Sequence, residues 1–252
     1  MADFRLDGKV AVVTGASQGI GLAISHALAQ AGATIALTHH PDKRIDNQKA
    51  CAEIAAAGGK AQGFGLDVAQ TGVIRRVFNQ IASELGSVDI LVNNAGVRAN
   101  GPSMDISEEH WDFVMGVNLK GTFFCSQAAA THMLRKGSGR IISIASQMAE
   151  SASPERAAYI ASKGGIVALT KTLALEWAAA GITVNAIGPG PTATPMTADS
   201  TPENESRILG RSPLGRRLTT DEIAGAVVFL AGPAATAITG QHLMVDGGWT
   251  AS

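Results

Sequence analysis

The sequence predicts an α/β fold: an open, doubly wound parallel sheet of about seven strands with helices on both faces, in three layers. Three observations carry that expectation. Short β-branched runs alternate with longer amphipathic stretches along the chain. The runs are apolar at nearly every position rather than at every second one, as strands buried on both faces are. Strand–helix–strand repetition builds a parallel sheet, because each crossover returns the chain to the same end. A closed eight-fold barrel is the rival, and it needs eight units where this chain offers about seven strands.

The expected strands are 10–14 (VAVVT), 34–38 (TIALT), a weak 61–66, 88–92 (VDILV), 140–144 (RIISI), 182–187 (ITVNAI) and 241–245. Between them, residues 20–31, 44–57, 71–85, 107–136, 155–180 and 221–230 carry apolar positions at helical spacing. Asp221-Glu222 suits a helix start, and Gly32, Gly58, Gly137 and Gly181 punctuate helix ends. Residues 192–206 form the one long polar, Pro-containing insertion, a loop or short helix over the strand ends, with 192–211 as a candidate lid. With no linker, repeat or low-complexity tract, residues 1–252 are expected to form a single domain.

Composition narrows the function classes. The 46 % of apolar residues suffices for a large core, and 16 % charge is too little for a disordered chain. Twenty basic residues against 21 acidic ones leave no electrostatic footprint for nucleic acid. The first ten residues lack the apolar core of a secretory signal. Residues 223–238 are broken by Gly232-Pro233 and fall short of the roughly 20 residues that span a bilayer. Cys51 and Cys125 are too few for a disulfide framework, so a reducing cytoplasm is expected.

Gly15, Gly19 and Gly21 lie between the first strand and the first helix, spaced GxxxGxG rather than GxGxxG. Glycine lets a phosphate approach the backbone, and a helix amino terminus offers unpaired N–H groups and a positive dipole end. A plain tight turn needs one glycine; three at this junction favour a nucleotide. The dinucleotide fingerprint then asks for an acidic residue about 20 positions on, to bind the ribose 2′-hydroxyl of NAD. That position is His39, followed by His40, with Lys43 and Arg44 nearby. Without a carboxylate nothing repels a 2′-phosphate, so NADP(H) is favoured over NAD(H), with Asp42 able to turn back as the competing possibility.

The single tyrosine, Tyr159, and Lys163 are four residues apart and share a helix face. A phenol with a pKa near 10 is a poor acid–base group at neutral pH, and a nearby ammonium lowers it. Ser146 follows a strand at the carboxyl end, where doubly wound sheets bind ligands, although Ser143 and Ser151 rival it on spacing alone. No His/Cys/Asp group has metal-site spacing.

These residues, with Thr14 to Gly21 (TGASQGIG), Asn93-Asn94-Ala95-Gly96, Asn118 and Pro189-Gly190, make the chain resemble the single-domain branch of the short-chain dehydrogenase/reductase family, nearly end to end. The resemblance implies a Rossmann-like fold and an NAD(P)-dependent oxidoreductase that interconverts a ketone and a secondary alcohol. It implies that Gly15, Ser17, Gln18, Gly19 and Gly21 bind the cofactor pyrophosphate with Ile20 beside them. Asp67 and Val68 would meet the adenine, and Asn93 to Gly96 the adenosine ribose. Pro189, Gly190, Thr192 and Thr194 would fix the nicotinamide, with Pro191 standing where the family usually has a larger apolar residue. It further implies that Tyr159 exchanges the proton, Lys163 lowers its pKa and grips the nicotinamide ribose, Ser146 orients the carbonyl, and Asn118 holds a relay water.

Arg98, Gln147, Glu150 and Arg156 are candidate substrate contacts and suit a small hydroxylated or anionic compound. Residues 185–190 with Glu150 look similar to sugar-acid and polyol dehydrogenases, whereas 213–216 and 238–241 look similar to 3-oxoacyl carrier-protein reductases. The latter usually carry basic residues where this chain has Leu175-Glu176-Trp177. A non-catalytic dinucleotide-binding sensor, or an epimerase or dehydratase on the same scaffold, are further alternatives. Surplus apolar residues on the two long helices, Phe123, Phe124, Leu169, Leu173 and Trp177, suggest a homo-oligomer, in this family commonly a tetramer.

Overall fold

A computed structural model describes residues 4–98, 100–198 and 200–251. Residues 1–3, Ala99, Asp199 and Ser252 lie outside the described residues, and with them the corresponding positions of the expected 1–252 domain and 192–211 lid. Seven strands form one sheet: β1 (Val10–Val13), β2 (Thr34–His39), β3 (Lys60–Gly65), β4 (Ile90–Asn93), β5 (Gly139–Ile144), β6 (Ile182–Pro189) and β7 (His242–Val245). Their order is β3-β2-β1-β4-β5-β6-β7, and every pairing is parallel. The order reverses between β1 and β4, which opens a crevice beyond their carboxyl ends. The strands β1, β4 and β6 are buried at every position, mostly by apolar or small residues, with Asn93 and Asn185 as buried polar exceptions. The weak signal at β3 belongs to an edge strand where only Phe64 is buried.

The helices are α1 (Gly19–Gln30), α2 (Arg44–Ala56), α3 (Thr71–Leu85), α4 (Glu108–Met115), α5 (Thr122–Lys136), α6 (Ala157–Trp177), α7 (Pro202–Arg211) and α8 (Thr220–Ala231). Strand alternation sorts most of the core into two large clusters, beside a small third one of Ala145, Ile166, Val167 and Ala186. Ala11 and Val13 of β1 pack with Ile24 and Leu28 of α1 and Ile223 and Val227 of α8. Val10 and Val12 belong to the opposite cluster, with Phe78 and Ile81 of α3 and Met133 of α5. The start of α8 is fixed by reciprocal caps: the Thr219 hydroxyl accepts from the Glu222 amide, and the Glu222 carboxylate accepts from the Thr219 amide.

One expected helix changes, and one open choice between loop and short helix is resolved. The long helix at 107–136 is interrupted, with a π-helical turn at Gly116–Gly121 joining α4 to α5. Apolar periodicity does not register such an inserted residue, and the turn carries Asn118 inward. The 192–211 stretch contains a ten-residue helix, α7, started by Thr201, whose hydroxyl accepts from the Asn204 amide, and by Pro202 at its first position. Leu173, expected as surplus apolar surface, is core, 3 % exposed, while Trp111, Phe113 and Leu175 stand out on α4 and α6. Among the described residues, no helix is long and apolar enough to cross a membrane.

Candidate active site

A cavity of about 1090 Å³ lies over the carboxyl ends of the central strands. Its first rim is the turn between β1 and α1. Gly15 has φ +63°, and a Cβ there would come 2.9 Å from the Ala95 Cα. The Thr14 hydroxyl accepts from the amides of Asn94 and Ala95 at 3.0 Å, and the Asn94 amide donates to the carbonyls of Thr14 and Gly15. This clasp seats the turn on the exit of β4. Asn93 faces the other way, donating to Ser126 and to Ser143, which does not line the cavity. Ser151 donates to the Gln147 carbonyl and does not line the cavity. At the start of α1 no side chain caps the helix and no acidic residue occupies the first turn. Gly15, Ser17, Gln18, Gly19, Ile20 and Gly21 all line the cavity. Uncapped amides at a positive helix end, beside glycines without a Cβ, fit the pyrophosphate of a dinucleotide.

Asp67 and Val68 line the same end, as do Asn94, Ala95 and Gly96. His39 does not line it. It is still paired to Gly65 in the β2–β3 ladder, and its side chain is buried, its Nδ1 2.9 Å from the His40 carbonyl. The side chains that reach the cavity are His40 and Lys43, and Arg44 does not. The His40 imidazole stands between Asp42 at 3.3 Å and Asp67 at 3.9 Å, and Lys43 reaches Asp46 at 3.5 Å.

At the other end Ser146, Tyr159 and Lys163 converge on the cavity with Pro189, Gly190, Thr192 and Thr194. The Lys163 ammonium donates to the Ile144 carbonyl at 2.7 Å and lies 5.7 Å from the centre of the Tyr159 ring. Burial pulls its pKa down to about 8. The phenol, contrary to the sequence expectation, titrates above its ordinary value. Burial is the largest cause, opposed by the nearby Ser146 hydroxyl and by the positive charges of Arg156 and Arg98. Ser146 is itself held: its hydroxyl donates to Gln147 Oε1 at 3.1 Å and accepts from the Met148 amide. Asn118 is buried and does not line the cavity. Its amide clamps both backbone groups of Val97 and donates to Ser162, and the Thr122 hydroxyl donates to its carbonyl.

On the substrate side, Arg98, Gln147 and Arg156 line the cavity and Glu150 does not. The short helical turn Gln147–Ala149 carries Glu150 towards β7, where it meets His242 Nδ1 at 3.0 Å. Asn185 of β6 is likewise structural, exchanging hydrogen bonds with Ile238 and Gln241 ahead of β7. The sequence reading missed Arg207 and Asn204, which reach the cavity from α7. The Thr201-Pro202 helix start was the available signal. Among the described residues, no group of three or more His, Cys, Asp or Glu side chains could hold a metal ion.

Comparison with known proteins agrees with this geometry. Residues 15–250 match the family model described as enoyl-(acyl carrier protein) reductase. The chain is 42 % identical over 250 residues to D-threitol dehydrogenase of Mycolicibacterium smegmatis, covering 98 % of this chain and 95 % of that protein. It is 39 % identical over 240 residues to the 3-oxoacyl-[acyl-carrier-protein] reductase FabG of Staphylococcus aureus, covering 95 % and 97 %. A solved structure described as a putative NAD(P)-dependent gluconate 5-dehydrogenase from Beutenbergia cavernae, with bound NADP, superposes with a TM-score of 0.95 at 42 % identity, covering 99 % of this chain and 100 % of that one. A parallel seven-stranded sheet, a glycine turn at its switch point and a match over nearly the whole length lead to one assignment: the chain belongs to the short-chain dehydrogenase/reductase family and is an NAD(P)-dependent oxidoreductase acting on CH–OH groups.

Proposed function

We propose that the protein interconverts a ketone and a secondary alcohol on a small polar substrate of sugar, sugar-acid or polyol type, with NADP(H) as the preferred cofactor. The observation that carries the reading is the convergence of Ser146, Tyr159 and Lys163 on the cavity that the glycine turn also lines. The turn and the start of α1 hold the pyrophosphate, Asp67 and Val68 the adenine, and Asn94, Ala95 and Gly96 the adenosine ribose. Pro189, Gly190, Thr192 and Thr194 hold the nicotinamide, whose C4 supplies or takes up the hydride. His40 and Lys43 meet the 2′-phosphate in place of the buried His39.

Tyr159 gives its hydroxyl proton to the carbonyl oxygen in reduction and takes it back in oxidation. Ser146, oriented by Gln147 and Met148, donates to that oxygen and fixes the carbonyl. Lys163 holds positive charge against the tyrosine ring, and a pKa of about 8 lets it pass a proton near neutrality. Asn118 acts as a positioning residue, fixing Val97 beside the cavity and the Ser162 turn of α6. The protein's share is position and protonation.

The single catalytic domain spans 1–252, with 192–211 as its lid. The exposed faces of α4 and α6, with Trp111, Phe113 and Leu175, assemble copies of the chain into a homo-oligomer, probed by light scattering, where the mass of one chain would refute it. The setting is a reducing cytoplasm, as two cysteines are too few for a disulfide framework. The relative named FabG favours carrier-bound 3-oxoacyl substrates as the second reading. Against it, the helix end after Leu175 has no basic side chain for an acidic carrier. A panel of C4–C6 polyols, sugar acids and a 3-oxoacyl thioester, each with NADP(H) and NAD(H), decides: turnover of the thioester alone would select the second reading.

A further inference from the structure

Three arginines from three separate segments meet on the substrate side of the cavity: Arg98 after β4, Arg156 at the start of α6 and Arg207 on α7. Two are tethered without losing their charge. Arg98 donates to the Met196 carbonyl at 3.2 Å, and Arg207 to Asn204 Oδ1 at 2.8 Å. Arg156 stands one helical turn before Tyr159 and is only partly exposed, and among the described residues no hydrogen bond or ion pair engages its guanidinium. Burial first, then the positive charges of Arg98 and Arg207, disfavour its protonated form, and Tyr159 and Glu155 oppose them. Glu155 has φ +64°, a left-handed conformation that a non-glycine residue rarely takes, immediately before Arg156.

Gathering like charges around a half-desolvated guanidinium costs free energy, and an anion placed among them removes the cost. A neutral polyol does not. We infer that the substrate is an anionic polyhydroxy compound, its carboxylate or phosphate group held by Arg156 with Arg98 and Arg207 while its reacting carbon faces Tyr159. This deepens, and rests on, the reading of a small polar substrate given above. Because Arg207 comes from α7, the same anion draws the helix onto the cavity, and Arg217–Glu205 ties α7 to the segment behind it at 2.5 Å.

The test compares D-gluconate, D-glucitol 6-phosphate and D-glucitol with the NADP⁺-loaded protein, by calorimetry and by turnover. One of the two anions is expected to exceed glucitol in kcat/KM by about tenfold or more, which also says which anionic group is read. Arg156→Gln and Arg207→Gln should each reduce that preference by about tenfold to a hundredfold, with Arg156→Lys recovering part of it. Equal or better use of glucitol, or a preference unmoved in both variants, would overturn the inference and leave the oxidoreductase reading intact. If none of the three is turned over, the proposed substrate class fails. Binding heat then decides the arginine site: heat with an anion that disappears in Arg156→Gln supports it, and no heat with either anion overturns it.

Discussion

The two rims of the cavity are built in opposite ways. The glycine-turn rim is backbone, clasped by Thr14 and Asn94 onto the buried ends of β1 and β4. The α7 rim is side chain: the helix buries none of its residues. It is tied to its surroundings by Arg217 on Glu205 and by Arg211 over the Trp249 ring at 4.7 Å. A rigid rim suits the part of a ligand that many enzymes share, and an adaptable rim suits the part that differs between them. Between the two lie Ser146, Tyr159 and Lys163, the residues proposed for the reaction, on α6 and the segment after β5.

The contrast can be broken in the middle first. Under the proposed mechanism Tyr159→Phe removes the proton-transferring hydroxyl, so turnover should fall by about 10²- to 10⁴-fold while NADPH still binds, read by steady-state rates beside nicotinamide fluorescence. Gly15→Ala attacks the rigid rim. A Cβ 2.9 Å from Ala95 Cα, on a backbone at φ +63°, should cost about 1–3 kcal/mol of stability and weaken NADPH binding, checked by urea unfolding and titration. Gly58→Ala is the control for strain without the clash, since φ is +83° and nothing lies within 4 Å.

Lys163 gives a pH signature for the same region. Its pKa falls from 10.5 to about 8 on folding, so between those values the unfolded chain binds more protons than the folded one, and stability rises with pH. Tyr159, raised on folding, works against this above its ordinary value of 10, and the buried Cys125 thiol, pushed up to about 12 by burial, does so above its ordinary value of 9.0. The Lys163 share, read as the stability difference between wild type and Lys163→Met, should therefore grow by up to about 2 kcal/mol between pH 7.5 and 9.5. Glu205→Gln loosens the adaptable rim and should have the smallest effect. It should raise KM about two- to fivefold with kcat and the thermal midpoint little changed. A kcat collapse in that variant would mean that α7 is part of the rigid machinery.

The same contrast explains what could be read from the chain. Gly15, Gly19 and Gly21 are legible because a close approach of backbone admits one residue type, and Tyr159 with Lys163 because helix spacing puts them on one face. Seven parallel strands followed from apolar runs, the edge strand β3 faintly because it has one face to bury. Position His39 was chosen by counting, and counting does not reveal that the β2–β3 ladder continues one residue further and takes that side chain inside. Glu150 failed similarly, since a short helical turn decides which way it points. The π-helical turn around Asn118 has no composition signal, and the pairing of Arg217 with Glu205 is set by a contact between polar residues of separate segments.

The most direct test of the account is a nicotinamide fluorescence titration of wild type and Tyr159→Phe with NADPH and NADH, followed by turnover of the bound complexes with a polyol or sugar-acid substrate. The account predicts tighter binding of NADPH than NADH in both proteins, and turnover in the wild type alone. Full activity in Tyr159→Phe, or no binding of either nucleotide to the wild type, would contradict it.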